Sequence, residues 1–239
     1  KEILGVYTGK KGISGMVGSA CHEALQVYYG GAPEVELPDD ATEKRAFAIK
    51  AGLNYLDMYP DAGIRYGTQG SREAMLESYA RAMQIYFEEE PEYHEIFSCE
   101  EKMTAELKTS DGQVLPLPAS GRADLVHKRK DGKYEIIDAK FSKSFTKYEN
   151  EDGDPHEDYI KIVQAQFMIH LLKAVHGIDA ERVIFREVKH TVNRDGGPQI
   201  RDYIIPANHE PYKIIFYNLY RDVVKFLSNP DVVFLPNLS

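Results

Sequence analysis

Residues 121–141 read GRADLVHKRKDGKYEIIDAKF. The stretch divides at Asp131-Gly132, a dipeptide that supplies the positive backbone angles of a tight hairpin turn. The flanking runs, 121–129 and 134–141, are predicted strands. On the second strand Asp138 and Lys140 are two residues apart, so they share a face. Asp124 on the first strand faces them, because paired strands lie about 4.8 Å apart. An otherwise apolar strand therefore carries an acid and a lysine on one side, with a second acid across from them.

Working outward, the periodicity changes on both sides of this hairpin. Upstream, Met16, Ala20, Ala24, Leu25 and Tyr28 recur at helical spacing over 14–30, and Gly30-Gly31-Ala32-Pro33 ends that helix. A second helix starts at a capping box of Asp40 and Glu43 and runs to Tyr59. A third covers 71–87, and 95–107 reads as a strand. Downstream, 157–177 is a long helix ended by Gly177. Residues 182–190 and 201–206 are strands, and an amphipathic helix follows from Pro211. The order of helix, three antiparallel strands, helix and strand predicts an α/β fold with a central mixed β-sheet flanked by helices. The whole of 1–239 reads as one domain, with 32–70 a helical insertion within it.

Composition limits the functions available. The chain has 239 residues, 43% apolar and 28% charged, in the range of soluble globular proteins. No apolar run reaches the ~20 residues of a membrane span, and no signal-peptide pattern is present, so a cytoplasmic location is expected. Two cysteines, Cys21 and Cys99, form no CxxC pair, which argues against a structural zinc or iron–sulfur site. The net charge of −9 opposes wholesale coating of nucleic acid but not a local grip. Seven Lys/Arg (128, 129, 130, 133, 140, 143, 147) against three acids (131, 135, 138) make the hairpin region net +4. The acidic run at 149–158 lacks the offsets of a calcium loop. The 16 tyrosines read as packing rather than as a base-stacking surface.

Hard divalent cations prefer oxygen ligands, and Mg²⁺ commonly takes one or two carboxylates. Carboxylates on adjacent strands can supply them, and a nearby lysine can orient water or offset charge on a phosphoryl group. A self-satisfied Asp138–Lys140 ion pair is the competing reading, and on these residues alone both stand.

GRAD followed by EIIDAK at a fourteen-residue separation across a hairpin resembles the core motif of the PD-(D/E)XK nuclease superfamily. The helix MVGSACHEALQVYY (16–29) is similar to the histidine-bearing helix of its RecB-like exonuclease branch. YIKIVQAQFMIHLL (159–172) is similar to the glutamine-bearing helix after the third strand. The resemblance implies a restriction-endonuclease-like core and cleavage of DNA phosphodiester bonds with Mg²⁺ or Mn²⁺, in recombination, replication or repair, encoded by a phage or mobile element. It implies Asp124, Asp138 and the Ala139 carbonyl as metal ligands, with His22 as a further one. Lys140 would position the nucleophilic water, and Gln164 would steady Lys140 or the phosphate. Position 168 is Met where the pattern has Tyr, so Gln166 with His170 offers a second register. Glu100 or Glu101 matches an additional acid of the superfamily. The hairpin cations Lys128, Arg129, Lys130, Lys143 and Lys147 are expected to contact the DNA backbone. A structure-selective endonuclease, a non-catalytic nucleic-acid-binding subunit on the same fold, and an unrelated small-molecule enzyme are the rivals.

Overall fold

The structure, a computed structural model, describes residues 10–32, 34–68, 70–108, 112–114, 118–146, 158–193 and 196–229. Three helices come first: α1 (Ile13–Tyr28), α2 (Ala41–Asp57) and α3 (Arg72–Glu88). The starts of α2 and α3 follow from short polar side chains. Asp40 accepts the N–H groups of Thr42 and Glu43, and Ser71 accepts that of Ala74. Two short strands, β1 (Lys11–Gly12) and β2 (Ile64–Arg65), pair in parallel and tie the start of α1 to the segment before α3. Two-residue strands carry no periodicity, and the sequence reading did not contain them.

The main sheet has five strands: β3 (Glu95–Ala105), β4 (Ala119–Lys128), β5 (Tyr134–Ser142), β6 (Ala180–Lys189) and β7 (Ile200–Pro206), in that spatial order. β3, β4 and β5 are antiparallel neighbours, and β6 runs parallel to β5 and antiparallel to β7. The parallel step is made through α4 (Tyr159–His176), which ends at Gly177 with φ 70°, a left-handed stop that favours glycine. The chain closes with α5 (Glu210–Leu227). The fold is thus α/β with a mixed sheet between two helical layers. One core holds Met16, Ala20 and Leu25 of α1 with Met75 and Met83 of α3, under Ala139, Phe141 and Val188 of the sheet. The other holds Ile162, Met168 and Leu171 of α4 with Phe216 of α5, under Val126, Ile136 and Phe185. Among the described residues no helix is long and apolar enough to cross a membrane.

The 32–70 segment packs closely through α2, which buries Ala48, Gly52 and Leu56. A Cβ at Gly52 would lie 2.5 Å from the Ala20 carbonyl and 2.1 Å from the Tyr79 hydroxyl, so α2 touches α1 and α3 at a point where only glycine fits. The β4–β5 turn is closed by Arg129 N–H donating to the Lys133 carbonyl at 2.8 Å and Gly132 N–H to the Arg129 carbonyl at 2.9 Å. Gly132 has φ 83°, as the Asp-Gly signal requires.

Two irregularities shape the centre of the sheet. The β4–β5 ladder runs from Lys128↔Tyr134 to Leu125↔Ile137 and stops there, while β4 continues along β3 as far as Ala119. On β3, Glu100 has φ 53°, the one left-handed non-glycine among the described residues. Both irregularities fall at the level of Asp124.

Candidate active site

Where β4 leaves β5, the Asp124 side chain turns into the gap. Its Oδ2 accepts the Ala139 N–H at 2.7 Å, so a carboxylate satisfies a strand donor there. The same oxygen lies 3.5 Å from His22 Nδ1, and Glu100 Oε1 lies 3.3 Å from that nitrogen. His22 comes from α1, and its ring stands edge-on to Phe141 at 5.9 Å, which fixes its approach to the sheet. One ligand atom from each of His22, Glu100 and Asp124 fits within a 4.8 Å span. These residues border a cavity of about 10 Å³, about the space of one water molecule, closed on the α1 side by Leu25, Gln26 and Tyr29. The left-handed backbone of Glu100 lies between the β3–β4 pairs Cys99↔Leu125 and Glu101↔Ala123, directly beside Asp124. Strain of this kind collects at functional sites.

Asp138 is buried, 3% exposed, and belongs to a second set of contacts. Gln164 Nε2 of α4 donates to its Oδ1 at 3.1 Å. Lys140 Nζ lies 2.6 Å from its Oδ2, a charge contact off the hydrogen-bond axis, so no donor is aimed at that oxygen among the described residues. The Lys140 side chain is 41% exposed, which makes the pair half-solvated and not the sealed ion pair of the competing reading. α4 reaches this position because β4 is small beneath it: a Cβ at Gly121 would meet Leu171 at 2.9 Å and Phe167 at 3.0 Å. The first turn of α4 is also anchored by Lys161, whose Nζ donates to Glu187 Oε1 at 2.6 Å. Glu187 is the β6 register partner of Lys140.

Electrostatics follow from crowding three carboxylates in a poorly hydrated gap. Burial, with Asp138 and Glu100 adding to it, pushes the Asp124 carboxyl up to about 7, against the opposing pull of His22 and the Ala139 N–H. Burial alone would lower the His22 pKa, but Glu100, Asp124 and Asp138 outweigh it and the net shift is upward. Without a cation the cluster therefore holds protons that a metal would replace. One imidazole nitrogen with two carboxylate oxygens, from His22, Glu100 and Asp124, is a donor set that suits a divalent cation.

The structure brings together His22, Asp124, Ala139 through its N–H, Asp138, Lys140 and Gln164. Of the two acids on β3 it places Glu100 in the cluster, whereas Glu101 points away to His176 Nε2 at 3.1 Å. Gln166 is fully buried with neither amide atom partnered among the described residues, so the register through Gln164 is the one that reaches Asp138. Asp124, one step past the last ladder pair Leu125↔Ile137, feels the charge of Asp138 while it contacts the Ala139 N–H and His22, and Asp138 contacts Lys140 and Gln164. The hairpin expectation changes. Arg129 is engaged by Asp131 at 2.9 Å, Glu135 at 3.1 Å and Glu181 at 2.7 Å, so it is not a free contact for a phosphate. Lys128 faces Glu95 at 3.7 Å, Lys130 is exposed, and the turn lies five residues from Asp124, roughly 16 Å along the strand. Lys143 lies just beyond β5, and Lys147 lies outside the described residues. Glu187 and Lys161 escaped the sequence reading. A glutamate inside the apolar run VIFREV was the available signal.

The α/β core carries an acid at the point where two central strands part and an Asp-x-Lys on the next strand. A model of the PD-(D/E)XK nuclease superfamily matches residues 3–209, and the chain belongs to that superfamily. A solved structure titled "Crystal structure of SSO0001" is similar over 96% of this chain and 82% of its own, at 16% identity and a TM-score of 0.36. No curated protein matches the chain.

Proposed function

We propose that the chain is a divalent-metal-dependent deoxyribonuclease, an exonuclease of the RecB-like branch acting in DNA recombination or repair. The observation that carries this reading is the His22–Glu100–Asp124 cluster set beside an Asp138 whose second oxygen, among the described residues, meets only Lys140. His22, Glu100, Asp124 and Asp138 would hold Mg²⁺ or Mn²⁺, which supplies Lewis acidity at the scissile phosphate when bound.

The chain's own groups do the rest. Gln164 holds Asp138 in one rotamer. The Ala139 N–H holds Asp124 in another, so both carboxylates are oriented before substrate arrives. Lys140, half-exposed at the edge of the gap, reaches the place where a water and a phosphate oxygen would meet. There it can orient the water and offset charge developing on the phosphoryl group. The Lys161–Glu187 pair keeps the first turn of α4, and with it Gln164, against β6. Lys143, past the end of β5, would meet the strand backbone without reading sequence.

Incubation of linear, circular and single-stranded DNA with Mg²⁺, Mn²⁺ or EDTA tests the reading. Cleavage should require metal and free ends, and Asp138→Asn and Lys140→Met should each lose it while still binding DNA in Ca²⁺. Near wild-type cleavage by either variant would remove the proposed site, and cutting of closed circles would replace exonuclease with endonuclease action.

A further inference from the structure

A second cavity of about 420 Å³ opens at the C-terminal end of α1, a volume in the range of small-molecule sites. Its walls are Tyr28, Tyr29, Tyr93 and Ile96, and α2 contributes Lys44 and Arg45. Tyr29 also lines the small cavity bordered by His22, Glu100 and Asp124, so the two spaces share a wall. Tyr29 follows His22 by seven residues, two helical turns on the same face, or about 10 Å. That span is about three nucleotides of a stacked strand at about 3.4 Å each.

The chemistry inside is aromatic and electrically balanced. The Tyr29 ring stands edge-on to Tyr28 at 5.0 Å and to Tyr93 at 5.5 Å. Glu90 accepts hydrogen bonds from the Tyr28 and Tyr29 hydroxyls, each at 3.1 Å, and pairs with Arg45 at 3.1 Å. Lys44 Nζ sits 4.7 Å from the Tyr28 ring centre and makes no ion pair among the described residues. Glu92 at the exposed edge balances it. A cavity with two cations and two acids does not select a phosphate. Its aromatic walls and fixed polar atoms suit the uncharged, planar part of a nucleotide.

We infer that this cavity is a nucleobase subsite, which takes one unpaired base of the substrate strand against Tyr29 and Tyr93, about three nucleotides from the scissile phosphate. The inference rests on the nuclease reading and deepens it, because a base can enter only from a single-stranded or frayed end. It gives the 32–70 segment a role, since Lys44 and Arg45 come from α2. It also gives two tyrosines, Tyr29 and Tyr93, a role besides packing.

The test uses the full chain and a labelled single-stranded oligonucleotide in Ca²⁺, with one abasic residue moved along the strand. Wild type should lose affinity about tenfold at one position within three nucleotides of the cut, and little elsewhere. Tyr93→Leu should remove that dependence, so that intact and abasic strands bind alike, while Tyr93→Phe keeps it. Lys44→Ala, a rim change on a half-buried position, should weaken the intact strand about threefold and leave the fold intact. A flat scan in wild type, or an equal loss on intact and abasic strands in Tyr93→Leu, overturns the subsite. Cleavage in Mg²⁺ separates the two claims. Cleavage with a flat scan removes the subsite alone, a position-dependent scan without cleavage removes the nuclease reading alone, and no binding at all removes both.

Discussion

Glu100 combines two properties that substitutions can pull apart: a carboxylate 3.3 Å from His22 and a backbone at φ 53°. A left-handed conformation costs a non-glycine residue about 1–2 kcal/mol. Glu100→Ala removes the carboxylate and keeps that cost. Glu100→Gly removes both, less the roughly 0.5–1 kcal/mol that glycine loses in ordering. The two variants should therefore differ by about 0.5–1 kcal/mol in favour of glycine. For a domain of this size about 1 kcal/mol moves Tm by about 2–4 °C, so in EDTA Glu100→Gly should melt about 1–4 °C above Glu100→Ala. Metal binding answers the other half. A cation at about 100 times its Kd stabilises the fold by about 2.7 kcal/mol, and a tenfold weaker site forfeits about 1.4 kcal/mol of that. Wild type should gain several degrees on adding Mn²⁺ or Ca²⁺, and both variants should lose much of that gain. Thermal unfolding of the three proteins with and without the ion reads both effects. A glycine variant that melts below the alanine variant refutes the backbone argument. An undiminished metal shift in both refutes Glu100 as a ligand.

The raised carboxyl of Asp124 makes metal-free stability depend on pH. Its unfolded value is near 4 and its folded value about 7, so the folded state retains a proton that the unfolded state loses. Stability from this group is greatest at acid pH and falls as pH rises across that interval. His22, also raised, adds to the same trend, since its contribution disappears as pH rises through its folded value. In EDTA, Tm of wild type relative to Asp124→Asn should fall from pH 5 to 8, and the metal-induced gain should grow over the same range; a relative Tm that rises with pH would contradict the assignment. The two glutamines of α4 should separate cleanly. Gln164→Leu leaves Asp138 without its amide donor and should depress turnover. Gln166→Leu replaces a buried amide with no partner among the described residues and should raise stability by up to about 1–3 kcal/mol with turnover unchanged. Loss of turnover in Gln166→Leu, measured per folded molecule, would reassign the helix register.

Much of this architecture was legible because it is written in local chemistry. Asp40 and Ser71 start helices where short acceptors precede apolar periodicity, Gly177 ends one, and Asp131-Gly132 turns the hairpin. The alternation along β5 placed Asp138 and Lys140 on one face. What escaped depends on departures from regular geometry. An ideal ladder would set Asp124 opposite Asp138. Instead the ladder stops at Leu125↔Ile137, and Asp124 turns toward α1. No residue pattern announces that a glutamate in a strand adopts φ 53°, so Glu100 and Glu101 could not be told apart beforehand. The tyrosine cavity arises from the packing of α2 against the end of α1, a contact between segments whose separate periodicities say nothing of each other.

The Arg129–Lys133 turn has a consequence for how the gene can change. Substitutions there touch no group near the cleft, and the exposed Lys130 can vary freely. Length is another matter. The turn sets how many residues separate Asp124 from Asp138, and a strand moved by one position presents its opposite side chains. Removing a single codon from this loop, far from the chemistry, would offset β4 from β5 and send one acid into an apolar core. The loop tolerates change at Lys130 but is strict in count, so frame-preserving single-residue indels here should be as damaging as loss of an acid itself.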